Sequence, residues 1–349
     1  MKIGFVNLTP LVYDVETPLS SPLGGSESAM CYLAQHLSTA GHEITLFRKS
    51  NGEFNKSGVT HLPINKIKDE LLDFLIIQNT PFSAPKIKKI ISRKTNMIFW
   101  SQHAADQKAV ESLKNNDVLK IFDKIVLVSE WQKKNYLEMF GIEENKIEIK
   151  RNAISPAFEN LKGIKKEWSM AYTSTPFRGL NLLPEIFEKA RKIRPDAALS
   201  VFSSMKIYQA NMQAEKEFEW LYNKCRNTQS IEYVGAISQS ELASKLAEIE
   251  ILAYPNTFAE TSCISVMEAM AAGCQVVTSN LGALPETTAG FARLVNIEGK
   301  ERQDYIEDFV KALTITIDQS KIRKQVDFVN ENYIWKKRAK EWEEFLLKI

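Results

Sequence analysis

The sequence has few of the residues that build disulfides and metal centres. Among its 349 residues are four cysteines, and no two of them have C-x-x-C spacing: Cys31, Cys225, Cys263 and Cys274. It has no D-x-D motif, only four histidines, and none after His103. We therefore expect neither structural disulfides nor a metal site, and scattered thiols fit a reducing cytoplasm.

Long hydrophobic runs and an excess of one charge are also missing. No apolar stretch approaches the ~20 residues that span a bilayer. The segment Met1–Pro10 has one lysine, a short apolar run and no cleavage-like site, which predicts a first β-strand and not a signal peptide. The formal charge is only +2, with both halves near neutral, so we expect no nucleic acid partner. We expect a cytoplasmic protein, with peripheral contact at the inner face of a membrane as an open alternative.

The length and the order of elements predict two α/β domains. At 349 residues the chain exceeds what one hydrophobic core usually organises. Strands and helices alternate, and short continuous apolar strands such as FLIIQ (74–78) are typical of a parallel sheet buried on both faces. We expect two tandem Rossmann-like doubly wound domains facing a cleft, at 1–160 and 161–328, followed by a terminal amphipathic helix in 329–349 that packs back on the first domain.

The predicted elements alternate along the chain. Strands are expected at Lys2–Leu8, Glu43–Phe47, Phe74–Gln78, Asn96–Trp100, Lys124–Val128, Lys146–Lys150, Trp168–Thr173, Ala198–Phe202, Ile231–Val234, Ile251–Tyr254 and Gln275–Thr278. Helices in the first half are expected at Ser26–Ala40, Ala84–Arg93, Gln107–Ile121 and Glu130–Phe140.

Two glutamates flank a predicted helix start in the second half. Glu260 lies in a loop, and Glu268 lies about one turn inside a helix expected over Ile264–Ala272. Unpaired backbone N–H groups at Ser262, Cys263 and Ile264 can hold a phosphate. Carboxylates on both sides of an anion site suit a ligand with hydroxyls at both ends and phosphates between them, as in a nucleotide-sugar.

The segment 259–280, AETSCISVMEAMAAGCQVVTSN, resembles the E-x7-E motif of the family 4 glycosyltransferases, which are retaining enzymes of the glycosyltransferase-B fold. The resemblance implies a metal-independent hexosyltransferase that uses a UDP- or GDP-sugar and needs no other cofactor. By the same resemblance Glu260 contacts the donor sugar, and Glu268 binds the ribose hydroxyls. Thr261 and Ser262 stand where the family more often has glycine and an aromatic residue.

Two further motifs lie in the first half. Gly24 and Gly25 in PLGGSESAM let a ligand approach the backbone, with Ser26 as a possible helix cap. His103 follows a predicted strand, where a side chain faces the ligand crevice. A plain turn and a helix-capping histidine are the structural alternatives. The family resemblance implies that the glycine pair approaches the diphosphate and the acceptor, and that His103 contacts the transferred sugar.

Arg178 in YTSTPFRGLNLL can clamp a diphosphate with charge-assisted hydrogen bonds. Arg178-Gly179 matches the Lys-Gly of the resembling family, whereas Thr173–Thr175 replace its earlier arginine. Lys206 is a candidate substitute. The loop at Val234 corresponds to the place where the family holds the nucleotide base.

Basic residues are concentrated in the run PKIKKIISRK, residues 85–94. A solvated helix face explains such a run, and contact with anionic lipid or a charged acceptor is the alternative.

The sequence thus predicts a retaining glycosyltransferase with a glycan or glycolipid acceptor, in surface polysaccharide, lipopolysaccharide or glycolipid assembly. The predicted catalytic residues are His103, Arg178 and Glu260. The predicted donor-binding residues are Gly24, Gly25, Ser174, Arg178, Val234, Ser262, Cys263, Ile264 and Glu268. A non-catalytic nucleotide-sugar-binding protein and a sugar-nucleotide epimerase are the alternatives; an epimerase needs a carboxylate acid/base pair that the sequence does not offer.

Overall fold

The computed structural model describes residues 1–49, 52–209 and 212–349. They form two compact units. The first comprises Met1–Thr17, Gly25–Asn152 and Trp335–Ile349, and the second comprises Pro18–Gly24 and Ala153–Ile334. The main division therefore falls after Asn152, within the Pro-, Asn- and Gly-containing stretch that interrupts the strand and helix pattern.

Each unit is built around one sheet. The strands are β1 Lys2–Val6, β2 Glu43–Arg48, β3 Phe54–Lys56, β4 Val59–Pro63, β5 Phe74–Gln78, β6 Asn96–Trp100, β7 Lys124–Leu127, β8 Ile147–Ile149, β9 Lys166–Tyr172, β10 Ala198–Val201, β11 Ile231–Tyr233, β12 Ile249–Tyr254, β13 Gln275–Ser279 and β14 Arg293–Val295. The α-helices are α1 Thr17–Ser20, α2 Gly25–Thr39, α3 Ala84–Lys88, α4 Asn116–Leu119, α5 Glu130–Phe140, α6 Leu183–Ile193, α7 Met212–Lys216, α8 Glu219–Asn227, α9 Gln239–Leu246, α10 Ile264–Ala271, α11 Leu284–Thr288, α12 Arg302–Thr314, α13 Gln319–Asn332 and α14 Trp335–Leu346.

The first sheet has the strand order β3-β4-β2-β1-β5-β6-β7-β8. Only β3 runs antiparallel to its neighbour β4 within the described chain. All five residues of β5 are buried, as the continuous apolar run FLIIQ predicts. The chain leaves β1 toward β2 and later returns to its other side with β5, so the topological switch point lies between β1 and β5. There Asn7 donates a hydrogen bond of 2.8 Å to the side chain of Gln78.

The terminal helix α14 completes the core of the first unit. Trp335 and Trp342 are both about 1% exposed. Trp342 packs edge-to-face on Trp100 of β6 with ring centroids 5.3 Å apart, and Trp335 lies 6.0 Å from Tyr32 of α2. The two tryptophans therefore join the sheet and a helix that lie more than two hundred residues earlier in the chain.

The second sheet has the order β11-β10-β9-β12-β13-β14, and its described strand pairs are all parallel. Here the chain leaves β9 for β10 and β11, then returns to the other side of β9 with β12. The switch point therefore lies between the carboxyl ends of β9 and β12, where doubly wound sheets bind ligands. The loops that begin at Thr173 and Pro255 meet there.

Some element boundaries differ from the predictions. Helix α2 begins at Gly25, so Ser26 lies in its first turn and does not cap it. The helix expected over Ala84–Arg93 ends at Lys88. The helix expected over Gln107–Ile121 is a 3-10 helix followed by the short α4, because Asn115 accepts a hydrogen bond from the N–H of Asp117 and starts a new helix.

Candidate functional site

Arg178 and Glu260 meet at the switch point of the second sheet. Nη1 of Arg178 donates to both carboxylate oxygens of Glu260, at 2.8 and 3.0 Å. The hydroxyl of Tyr254, at the end of β12, donates to the same carboxylate at 2.5 Å. The Glu260 side chain is 5% exposed and that of Arg178 is 24% exposed. The pair is therefore mostly shielded from water, although part of the arginine remains in contact with solvent.

Two glycines allow the loops to close this tightly. Gly179 has φ +103°, and a Cβ there would lie 2.0 Å from the carbonyl oxygen of Pro255. Gly282 has φ +61°, and a Cβ there would lie 2.4 Å from the carbonyl oxygen of Glu260. Any larger residue would force these backbones apart. The Arg-Gly pair noted in the sequence therefore places Arg178 directly against the loop that follows β12.

The surroundings keep Arg178 cationic and fix its plane. Burial is the largest single effect and lowers its pKa, but the Glu260 carboxylate, together with Tyr254, Tyr208 and Cys263, raises it, so the net shift is upward. The guanidinium lies over the rings of Phe258 and Phe177, with 4.7 and 5.5 Å from Cζ to the two centroids. These stacked contacts and the ion pair restrict the side chain to one orientation.

Several buried polar atoms in these loops have no partner in the described structure. They are the hydroxyls of Thr173, Thr175 and Ser262, and Nε of Arg178. Buried donors without partners are rare in native proteins because each costs free energy. Their position in the loops after β9 and β12 is the position at which a polar ligand binds in this sheet topology. These atoms are polar groups that a ligand bound at this position could contact.

Ser174 belongs to the same network. Its hydroxyl donates to the Tyr254 hydroxyl at 3.4 Å, so Ser174, Arg178 and Glu260 are linked through one tyrosine. Lys206 lies in a 3-10 helix after β10 and is exposed. Its backbone N–H donates to the hydroxyl of Ser204. No hydrogen bond or ion pair joins Lys206 to Arg178 within the described residues.

The predicted helix with the second glutamate is α10. It begins at Ile264, with Cys263 as its N-cap residue and no side chain capping its N-terminus. Glu268 lies just over one turn inside, as predicted, and is 2% exposed. Its carboxylate accepts hydrogen bonds from the backbone N–H of Ser155 at 3.2 Å and from the side chain of Gln239. Glu268 therefore has its own partners, separate from those of Glu260.

Burial changes the protonation of Glu268. Desolvation raises its pKa to about 8, and the hydrogen bonds from Ser155 and Gln239 offset only part of that effect. No positively charged group is among the causes of the shift. A carboxylate has about four acceptor positions, so two remain after these bonds. Glu268 can still accept from ligand hydroxyls.

Cys263 has a buried side chain, and the backbone N–H of Val234 already has a hydrogen-bond acceptor. The Cys263 thiol is 3% exposed, and burial raises its pKa to about 12, which leaves it an unreactive thiol. Val234 follows β11, and its N–H and that of Gly235 both donate to the carbonyl of Val201. A base held by this loop would therefore have to use backbone groups other than these two N–H donors.

The remaining predicted residues are divided between the units. Gly24 is buried in the second unit, whereas Gly25 is exposed and belongs to the first. His103 follows β6 in the first unit, and its Nδ1 is hydrogen-bonded to the side chain of Gln107. The carbonyl of His103 accepts from Gln132 at 2.7 Å and from the hydroxyl of Tyr136 at 3.0 Å. The loop that presents His103 is thus fixed by α5.

Sequence reasoning missed Tyr254 and Phe258. Tyr254 is the last residue of β12 and stands six residues before Glu260, so the rule that ligands bind at the carboxyl ends of strands could have found it. Phe258 lies in the same loop, and no sequence motif marks it.

Within residues 1–49, 52–209 and 212–349, no group of three or more His, Cys, Asp or Glu is placed to hold a metal ion. In the same ranges no helix has the length and apolar character to cross a membrane.

One known sequence family matches part of the chain. Residues 172–315 match the sequence family described as "Glycosyl transferases group 1", a segment that contains both Arg178 and Glu260. No curated protein sequence matches the chain.

Solved structures match over the whole length. A glycosyltransferase from Rickettsia africae ESF-5 is 16% identical with a TM-score of 0.71, covering 99% of this chain and 98% of that one. Anabaena Alr3699/HepE in complex with UDP and glucose is 12% identical with a TM-score of 0.71, covering 100% of both chains. Sucrose-phosphate synthase from Thermosynechococcus elongatus is 12% identical with a TM-score of 0.69, covering 99% of this chain and 98% of that one. The chain therefore has the glycosyltransferase-B fold, and residues 172–315 within its second unit are similar to the group 1 glycosyl transferases.

Proposed function

We propose that this protein is a glycosyltransferase that moves a hexose from a nucleoside-diphosphate sugar to a hydroxyl acceptor. The observation that carries the proposal is the Arg178–Glu260 pair at the β9/β12 switch point, surrounded by buried donors without partners. The family match over 172–315 and the neighbour structures of Anabaena Alr3699/HepE with UDP-glucose support the same donor class.

Arg178 is suited to bear the charge of the departing diphosphate. Its Nη1 is held by Glu260, while its Nε has no protein partner and is free to donate to a phosphate oxygen. The hydroxyls of Thr173 and Thr175 supply further donors in the loop where the resembling family has its earlier arginine. Donors that are already fixed stabilise developing charge without reorganisation. Glu260 then serves both to orient Arg178 and to accept from sugar hydroxyls.

Glu268 is the proposed ribose ligand, and the N-terminus of α10 at Ser262–Ile264 is the proposed phosphate contact. The helix N-terminus has no side-chain cap, so its N–H groups are available for phosphate oxygens. His103 and Gly25, in the first unit, keep the roles that the family resemblance implies, which are contact with the transferred sugar and approach to the acceptor. The proposed reaction retains the anomeric configuration and uses no metal.

The proposed acceptor is a glycan or glycolipid, with residues 85–94 as a proposed contact with anionic lipid. Lys86, Lys89, Arg93 and Lys94 are exposed there, next to exposed Ile90. Basic groups beside an apolar side chain favour an anionic membrane surface. Sedimentation with vesicles containing an anionic lipid, compared with neutral vesicles, tests this contact. Equal binding to both would contradict it.

The function is tested first by a thermal-shift panel of UDP, GDP and their hexose derivatives. A ligand that binds only the folded protein raises its melting temperature by mass action. We expect one base to give a shift that Glu268→Ala and Arg178→Gln abolish. Arg293→Gln is the matched control, because this arginine donates to the carbonyls of Ala312 and Ile315 outside the site.

Turnover then separates the enzyme from its alternatives. We expect release of nucleoside diphosphate that depends on an acceptor and falls in the Arg178 variant. Binding without release would favour a nucleotide-sugar-binding protein. Conversion of the donor sugar without transfer would favour an epimerase, and absence of any nucleotide shift would contradict the donor site itself.

A further inference from the structure

A cleft lies in the first unit, and none of the residues assigned above is in its walls. It has a volume of about 290 Å³, and its walls include Tyr13, Asp14, Arg48 and Phe54. Arg48 is the last residue of β2, so the cleft opens at the carboxyl end of that strand. Polar side chains at this end of a doubly wound sheet face the ligand-binding edge.

Arg48 is a buried cation without a carboxylate partner. It is 6% exposed, and one of its Nη atoms donates to the carbonyl of Tyr13. Its Nε has no partner, and no ion pair to Arg48 is formed by any of the described residues. Burial lowers its pKa, which shows that the surroundings do not compensate its charge fully. A buried, uncompensated cation is costly, and an anion bound beside it would offset that cost.

Asp14 offsets the charge of Arg48 only in part, and both Asp14 and Glu16 are paired with Lys56. Asp14 lies 2.8 Å from Nζ of Lys56, and Glu16 lies 3.2 Å from the same nitrogen. Asp14 also accepts from the backbone N–H groups of Glu16 and Thr17. The carboxylates of Asp14 and Glu16 are therefore already paired, and Arg48 is the charged group of the cleft that remains for an anionic ligand.

An aromatic wall completes the cleft. Phe54 is 39% exposed, and the guanidinium of Arg48 lies 5.1 Å from its ring centroid. Behind it, the ring of fully buried His61 stacks at 4.5 Å with an interplanar angle of 16°. Burial and the neighbouring Arg48 lower the pKa of His61 to about 4, so it is neutral at physiological pH. Phe54 thus offers a fixed apolar face beside a cation.

We propose that this cleft binds the acidic group of a hexose that carries a phosphate or a carboxylate. Arg48 takes the anionic group with its uncommitted N–H donors, and the ring face of Phe54 packs against the sugar. Bidentate recognition of such oxyanions is the usual use of a planar guanidinium. We assign this hexose to the acceptor, and that assignment alone rests on the proposed transferase function.

The test is calorimetric titration of the full-length protein with four probes: glucose 6-phosphate, glucuronate, inorganic phosphate and glucose. We expect at least one of the two acidic sugars to bind at least ten-fold more tightly than glucose. Arg48→Gln should weaken that binding at least ten-fold, and Arg48→Lys should retain part of it because the charge remains. Phe54→Leu should weaken the acidic sugars but leave inorganic phosphate unchanged.

Arg178→Gln controls for binding in the second unit. If that variant loses the acidic sugar while Arg48→Gln retains it, the probe occupies the other site and the inference is wrong. Glucose that binds as tightly as both acidic sugars also overturns it, as does a folded Arg48→Lys or Arg48→Gln variant with wild-type affinity. Melting-temperature shifts with nucleotides, measured on the same variants, test the donor site separately from this cleft. Acidic-sugar binding without any nucleotide shift supports this cleft while contradicting the donor site.

Discussion

The hydroxyl of Tyr254 and the carboxylate of Glu260 are joined by a hydrogen bond of 2.5 Å. Because Arg178 holds the same carboxylate from the other side of the switch point, Glu260 is fixed from both β9 and β12. On the proposed function, the tyrosine acts on the donor through Glu260. Tyr254 is thus a positioning residue, and Glu260 is the proposed contact with the donor. Variants of each residue test the two roles separately.

Tyr254→Phe should lower kcat roughly 10- to 100-fold with little change in donor KM. The substitution keeps the ring but removes a hydrogen bond to a charged group, worth about 1.5–3 kcal/mol. Tyr333→Phe is the matched control, because its buried hydroxyl donates to the carbonyl of Thr287 at 3.0 Å. It should cost comparable stability without affecting transfer. Steady-state kinetics on both variants check this, and equal losses of kcat would show a purely structural role for Tyr254.

Arg178→Gln should destabilise the protein by about 3 kcal/mol, because it leaves the Glu260 carboxylate buried without a countercharge. Glu260→Gln should cost less, since the Arg178 side chain is 24% exposed and water can reach it. The double variant should be more stable than the sum of the single losses predicts. Urea unfolding of all four proteins gives the coupling energy. Strictly additive losses would mean that the pair contributes nothing as a pair.

Stability should fall between pH 6.5 and pH 8 through Glu268. In the unfolded chain its pKa is the ordinary 4.5, whereas burial raises it to about 8 in the folded protein. Above pH 4.5 the unfolded state therefore binds fewer protons, and the free energy of unfolding decreases with pH by at most about 1.4 kcal/mol per unit. His61 acts oppositely only below pH 6.5, because its folded pKa is lowered to about 4.

Glu268→Gln should flatten that pH dependence, as measured by urea unfolding at closely spaced pH values. Burial also raises the pKa of Glu27. Glu27→Gln therefore shows how much of the pH dependence of the free energy of unfolding comes from Glu27. A wild-type slope retained in Glu268→Gln would contradict a protonated Glu268. If the ionised carboxylate binds ribose hydroxyls, nucleotide affinity in the wild type should rise from pH 6.5 to pH 8.

Trp342→Ala should destabilise the first unit by about 3–5 kcal/mol, the usual cost of removing a large buried aromatic side chain. Trp342 is 1% exposed and packs on both Trp100 and Phe345. Trp220→Ala is the control, because Trp220 is 60% exposed and its loss should stay within about 0.5 kcal/mol. Chemical unfolding followed by circular dichroism checks both. Similar losses in the two variants would contradict a core role for α14.

The sheets were predictable from sequence because buried parallel strands leave a local signal. The predicted ranges for β5, β6 and α5 agree with the structure to the residue. The strands β3, β4 and β14 escaped prediction; β3 and β14 have only three residues each, and β3 has little apolar character. Short edge strands depend on partners that lie elsewhere in the chain, so their own residues hardly mark them.

The candidate site was predictable as separate residues but not as a network. Arg178 and Glu260 could each be found from a motif. The motifs predict that Arg178 binds the diphosphate and that Glu260 contacts the donor sugar. That they bind each other depends on β9 and β12 being neighbours, which is a property of strand order and not of either motif. The partners of Glu268 likewise come from Ser155 and Gln239, which are 113 and 29 residues away in the sequence.

The division of the chain also sets the order in which a growing polypeptide can be completed. Ala153–Ile334 of the second unit is one continuous stretch, and with Pro18–Gly24 already made, that unit has all its residues before Trp335 is added. The first unit includes Met1–Thr17 and Gly25–Asn152, which are made earlier, yet it lacks Trp335 and Trp342 until residues 335–349 emerge. On the ribosome, the unit that starts first is the one that is finished last, and until then Trp100 has no terminal helix to cover it.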